Sequence, residues 1–300
     1  MLIAVTVINQ AGDSMRMELA RPEKSGFVIR RIEGIGPVNA EIHSTPFAAS
    51  DGAIKNGANI GTRNITMDLE FIGLPSIEDT RQKSYLYFSP KSEIQLLFET
   101  DKHTLRVEGT VESNEPDIFS RNEGTSISII CTDPLMYDTN ATSEDINYVD
   151  NAFEFPFSNE VSVDSQGNPT ATNTIIFGYW HRDRRREFTY NGTSENGITF
   201  TIVAQANVAG LDIYNVETDE HLKLARTLYD GDVLRITTGK GKKRAVLIRD
   251  GIEYNAMNYV SMDSTWLTIR PGINIFSYDS EYHVTAMEVN ISFEESYKGV

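Results

Sequence analysis

Between Arg63 and Pro134 the spacing of apolar residues changes twice, and this limits the fold more than any other feature of the chain. Ile65, Met67, Leu69 and Phe71 alternate with Thr66, Asp68 and Glu70, the period-two pattern of a strand buried on one face. Pro75 then precedes Ser76, a good N-cap, and Glu78 and Asp79 occupy the first turn, where the helix dipole favours acids. Ile77, Arg81 (through its aliphatic stem), Tyr85 and Phe88 share one helical face, and Pro90 ends the segment. Period two returns in Ile94–Phe98 and in Leu105–Val111, the latter broken by Gly109. It closes with Ile127–Cys131 before Thr132-Asp133-Pro134. The pattern predicts a small β domain with one helix packed on it, and no part of it has the form of an active site.

On the N-terminal side, Ile3, Val5 and Val7, then Met15, Met17 and Leu19, alternate about the turn Asn9–Asp13. Phe27–Ile29 and Ile32 make a third strand, which ends at Gly34-Ile35-Gly36-Pro37. From Gly36 to Thr62 the rhythm weakens and turn signals appear at Ser50-Asp51-Gly52 and Asn56-Gly57. A structureless loop of this length is rare inside a compact domain. The segment is either a projecting hairpin that reaches a neighbour or a mobile functional loop; Val38, Ala40 and Ile42 still alternate, and Ile54, Ala58 and Ile60 can form a return strand, which favours the hairpin arm. Residues 135–150 lack periodicity and read as a linker. Beyond it, candidate strands at regular spacing, including Ala152–Phe157, Ile175–Phe177, Glu187–Tyr190, Ile198–Val203, Val233–Thr237 and Glu288–Phe293, predict an antiparallel β-sandwich.

The 300 residues suit two domains, and the formal net charge is −16. Such a surface repels phosphate backbones and anionic headgroups, which argues against nucleic acid and membrane as partners. Met1–Val5 has no basic start or long apolar core, so no signal peptide is expected. Cys131 is the sole cysteine; in its apolar strand it reads as a buried structural thiol.

No two of His43, His103, His181, His221 and His283 have metal-site spacing, no Gly-x-Ser-x-Gly elbow occurs, and abundant carboxylates do not define a glycosidase pair. No catalytic residue, metal or cofactor is expected. Gly239–Arg244 reads as a basic hairpin tip rather than a phosphate loop. The run Arg182, Arg184, Arg185 and Arg186 is either a contact for an acidic neighbour or a solvated segment compensated by nearby acids. Tyr179, Trp180 and Trp266 are either core residues or platforms for stacking on a sugar ring.

The order of these elements resembles a known family. Ile35-Gly36-Pro37, Ser50-Asp51-Gly52, Arg63-Asn64-Ile65, the helix with Glu78 and Arg81, Leu86–Lys91, Gly109–Glu112 and Ile129–Pro134 resemble the N-terminal domain of the distal tail protein (Dit) of long-tailed bacteriophages. Asp230–Val233 with Ile236, Gly239–Lys243, and Leu267 with Pro271–Asn274 are similar to the C-terminal domain of the same proteins. The resemblance implies a mainly β fold with one short helix. Residues 1–146 would be a β-barrel-like, ring-forming domain whose arm, residues 36–62, embraces the adjacent subunit through Val38, Ala40, Ile42, Ile54 and Ile60. Residues 147–300 would be a galectin-like antiparallel sandwich. It further implies a homo-hexamer at a virion tail tip or baseplate, joined to the tail tube protein, a tail-associated hub protein and receptor-binding or side-fibre proteins. A carbohydrate-binding module for host-surface glycans is the alternative.

Overall fold

The structure, a computed structural model, describes residues 1–48, 50–146, 149–150, 165–166, 179–180 and 184–300. The candidate strands Ala152–Phe157 and Ile175–Phe177, with His181 and Arg182, lie outside the described residues. Two compact units are present: one of Met1–Ala141, Gly192–Ser194 and Glu294–Val300, the other of described residues within Thr142–Asn191 and Glu195–Phe293.

The first unit contains β1 (Leu2–Ile8), β2 (Ser14–Glu18), β3 (Phe27–Glu33), β4 (Ala40–Pro46), β5 (Ala53–Ile60), β6 (Arg63–Phe71), α1 (Ile77–Tyr87), β7 (Glu93–Thr100), β8 (Thr104–Asp117), β9 (Gly124–Cys131) and the start of β10 (Met136–Asp145). Antiparallel pairing runs β2-β1-β7-β8-β9-β6-β3. The barrel-like expectation is corrected here: no ladder joins the end strands β2 and β3, so the sheet does not close. Val5, Val7, Met17, Ile65, Met67, Leu96, Phe98, Ile127 and Ile129 are the inward members of the alternation and are almost fully buried. Burial of that one face is what fixes the register, since a slip of one residue would expose all of them. Helix α1 is capped as expected, with Ser76 Oγ accepting from the Asp79 N–H at 3.2 Å.

Two readings change. β8 passes through Gly109 without interruption, and its bulge lies between Val111 and Ser113. The expected linker is largely strand β10, where Tyr137 and Asp138 pair with Arg106 and Leu105. Ladder hydrogen bonds hold a polar sequence extended there, without an apolar rhythm to announce it.

The second unit contains β11 (Val149–Asp150), β12 (Tyr179–Trp180), β13 (Arg185–Tyr190), β14 (Asn196–Gly197), β15 (Thr199–Ala204), β16 (Asp212–Asn215), β17 (Glu220–Lys223), β18 (Val233–Thr237), β19 (Arg244–Arg249), β20 (Ile252–Asn255), β21 (Thr268–Ile269), β22 (Gly272–Asp279) and the first part of β23 (Met287–Tyr297). One sheet runs β23-β15-β18-β19-β20 and another β13-β22-β16-β17. Their apolar faces share one core, which includes a web of aromatic rings. Phe188–Phe276, Phe200–Phe276 and Phe188–Phe293 meet edge-on, with centroids 6.0, 6.2 and 6.1 Å apart. This is the expected antiparallel sandwich.

Candidate functional site: a free hairpin and its clamped base

Strands β4 and β5 pair with each other and with no other described strand. Ala40 faces Ile60 and Ile42 faces Ala58, so the period of two puts these four on one side of the ribbon. Glu41, His43 and Asn59 take the other side, where His43 Nε2 lies 2.5 Å from Asn59 Oδ1. The apolar side is not covered: Ile42 is 66% and Ile60 45% exposed. Val38 precedes β4 and is half-buried. A bulge at Asn56, whose side-chain amide donates to Thr45 Oγ1 at 2.6 Å, puts an extra residue into β5. Ile54 therefore sits across from Thr45, on the side opposite Ile42, which the simple alternation did not foresee.

Both feet of this hairpin meet at one buried arginine. Arg63 opens β6 directly after the return strand and is 1% exposed. Its Nε donates to the Pro134 carbonyl at 2.8 Å. Nη1 donates to the carbonyls of Gly34 and, at 2.7 Å, Gly36. Nη2 donates to Pro134 at 2.6 Å and Lys298 at 2.7 Å. All five guanidinium N–H groups are thus matched to backbone oxygens. No carboxylate among the described residues lies within ion-pair distance, and burial lowers the pKa of the group, opposed by Cys131 and Asp133. Gly34 is required beside it: its φ is +78°, and a β-carbon there would come within 1.9 Å of the Asn64 carbonyl oxygen. Lys298–Val300 packs on the same foot. The Val300 N–H donates to the Ile35 carbonyl at 2.9 Å, and a β-carbon on Gly299 would stand 2.6 Å from that oxygen.

The other sequence candidates lie elsewhere. Arg184 pairs with Asp279, while Arg186 pairs with Glu144 at 2.7 Å and donates to the Asp145 carbonyl. Arg185 is exposed on β13. Tyr179 and Trp180 form β12, whose backbone pairs with Asp150 and Val149. Trp266 is partly buried against the core of the second unit, with Lys243 Nζ 5.2 Å from its ring centre.

Folding also creates clusters that spacing could not reveal. His103 Nδ1 lies 3.2 Å from Asp138 Oδ2, with Glu295 close by, and their ligand-type atoms fall within 4.8 Å of one another. His221 Nδ1 lies 2.8 Å from Asp212 Oδ2, and its ring stacks on Tyr214 at 5.2 Å. Each joins residues from separate strands or turns. One cavity of about 460 Å³ is lined by Asn9, Gln95, Glu108, Gly109 and Thr132, and another of about 320 Å³ by Lys243, Arg244, Glu253, Tyr254 and Asn255.

Residues 191–297 match the family model described as siphovirus-type tail component, C-terminal domain. No curated protein matches the sequence. Among solved structures, the chain is similar to the Dit protein (gp 19.1) of phage SPP1, described as a paradigm of the hub adsorption apparatus in phages infecting Gram-positive bacteria. Identity is 12%, coverage 97% of this chain and 98% of that one, and the TM-score 0.67. A chain of the phage P2 baseplate in its activated conformation with Ca is similar at 13% identity, with 97% and 98% coverage and a TM-score of 0.46.

Proposed function

We propose that this chain, whose C-terminal domain is that of a siphovirus-type tail component and whose fold is that of a Dit protein, is a structural hub of a phage tail tip or baseplate. Six copies close into a ring, the number that the Dit resemblance implies. The observation that carries the reading is the hairpin of β4 and β5, which leaves Ala40, Ile42, Ala58 and Ile60 open on one side near its base and, among the described residues, both ribbon edges unpaired. An exposed apolar ribbon with free edges is an aggregation hazard unless a partner covers it. A head-to-tail contact between identical copies supplies that cover to every arm and leaves none over once the rotation closes.

In this role the molecule acts by association. The arm lies on the next subunit, the sandwich of the second unit serves neighbouring proteins, and the ring joins the tail tube to a tail-associated hub protein and to receptor-binding or side-fibre proteins. The test is the solution mass of the purified chain, by light scattering, beside a variant in which residues 40–60 are replaced by a short Gly-Ser turn. A hexamer that becomes a monomer on replacement is the expected result. A hexamer that survives replacement would remove the arm from the reading.

A further inference from the structure

Among the described residues no other strand pairs with the hairpin, yet a ring needs every arm to leave its subunit at one angle. A ribbon attached through two flexible feet would sample a cone of directions, and each arm would lose that freedom on docking. The feet are Gly34–Gly36 on one side and Arg63 on the other, and the Arg63 guanidinium holds both. The same guanidinium binds the carbonyl of Lys298, while Gly299 and Val300 lie directly against Ile35 and Gly36.

We infer that Arg63 and the segment Lys298–Val300 form a clamp that aims the arm, so that ring assembly depends on residues far from the arm in sequence and outside its contact face. Arg63 gathers carbonyls from three stretches of chain: the entry to the arm at Gly34 and Gly36, the exit of β9 at Pro134, and the segment after β23 at Lys298. Lysine has only three N–H donors and no planar fork, so it cannot replace this pattern. Gly299 offers a gentler lever. Its β-carbon would also fall 2.8 Å from the Gly36 carbonyl carbon, so a larger residue wedges the segment off the foot without entering either core.

The consequence for assembly rests on the ring reading; the clamp itself does not. Both are measured in the full chain with spin labels on Ser50→Cys at the arm tip and Asn122→Cys in the β8–β9 turn, diluted into unlabelled protein. The only native thiol, Cys131, is fully buried. The parent should give a narrow tip-to-body distance distribution. Gly299→Val and Arg63→Lys should broaden it and lower the hexamer fraction about tenfold or more, as loss of preorganisation requires. Gly299→Val, checked for an unchanged melting transition, serves if Arg63→Lys does not fold. An unchanged distribution in Gly299→Val overturns the clamp even if the parent is a hexamer, and a broadened distribution with undiminished hexamer overturns its link to assembly. A monomeric parent whose distribution broadens in Gly299→Val keeps the clamp and removes the ring.

Discussion

A β-carbon on Gly109 would stand 2.7 Å from Ile129 Cγ2 and 2.9 Å from Cys131 Sγ, inside a strand that otherwise runs straight through. The sequence suggests a break at this glycine, because glycine weakens strands; its reason for being there is the room that two buried neighbours on β9 need. Gly109→Ala should therefore cost about 1–3 kcal/mol of stability through overpacking, read as a lower urea midpoint. Cys131 shows the opposite balance, since its burial was legible from the apolar run around it. Desolvation pushes its thiol up to about 11, against the pull of Arg63, so the thiolate is disfavoured at pH 8. Iodoacetamide should leave the native protein unlabelled and modify Cys131 only after denaturation. Nothing in the sequence around Asp232 announces its partner, because Arg249 arrives on the next strand. Nε and Nη2 of Arg249 each lie 2.6 Å from a carboxylate oxygen, and these hydrogen bonds lower the Asp232 pKa, helped by the Tyr229 N–H. A carboxylate depressed in the folded state contributes stability above its ordinary value of 3.8, and that contribution is lost as pH falls through the lower folded value. The stability gap between the parent and Asp232→Asn should be flat above about pH 5 and shrink below about pH 4 in urea titrations.

At the scale of elements, what could be read depended on whether a segment's partner was local. Helix α1 and the hairpin of β4 and β5 carry their signals within a few residues, in Ser76 with its first-turn acids and in alternation about Ser50-Asp51-Gly52. The bulge at Asn56 carries no such signal, so the side on which Ile54 lands was not legible. β10 has no local signal for the converse reason: its register is set by β8, which begins roughly thirty residues earlier. The clamp at Arg63 lies further still from what periodicity can show, because it closes over residues from Gly34 to Lys298. A hairpin held only at its feet should add little to the stability of the unit that bears it. Replacing residues 40–60 with a short turn should shift the unfolding free energy of the monomer by less than about 1 kcal/mol, measured by urea denaturation, because no buried apolar contact is lost. A larger loss would mean that the ribbon packs on its own body and is not free for a neighbour.

For the molecule as a whole, the competition is between apolar cover and charge. Each copy brings a formal −16 to any assembly, while the open side of the arm offers alanine and isoleucine near its base (Ala40, Ile42, Ala58 and Ile60), with Ser44 opposite Lys55 further out. Association through such a surface is opposed by the mean field of like charges, which acts over a Debye length, whereas burial of isoleucine is indifferent to dilute salt. Raising sodium chloride from about 0.02 M to about 0.5 M shortens that length from roughly 20 Å to roughly 4 Å. If the arm's apolar side closes the ring, the hexamer should then persist to lower protein concentration at the higher salt, as sedimentation velocity would record. An interface built instead on the exposed Arg185 and acids of the next copy would weaken over the same range, because screening removes attraction as readily as repulsion. The direction of the salt effect thus separates an assembly driven by the hairpin from one driven by the arginine run.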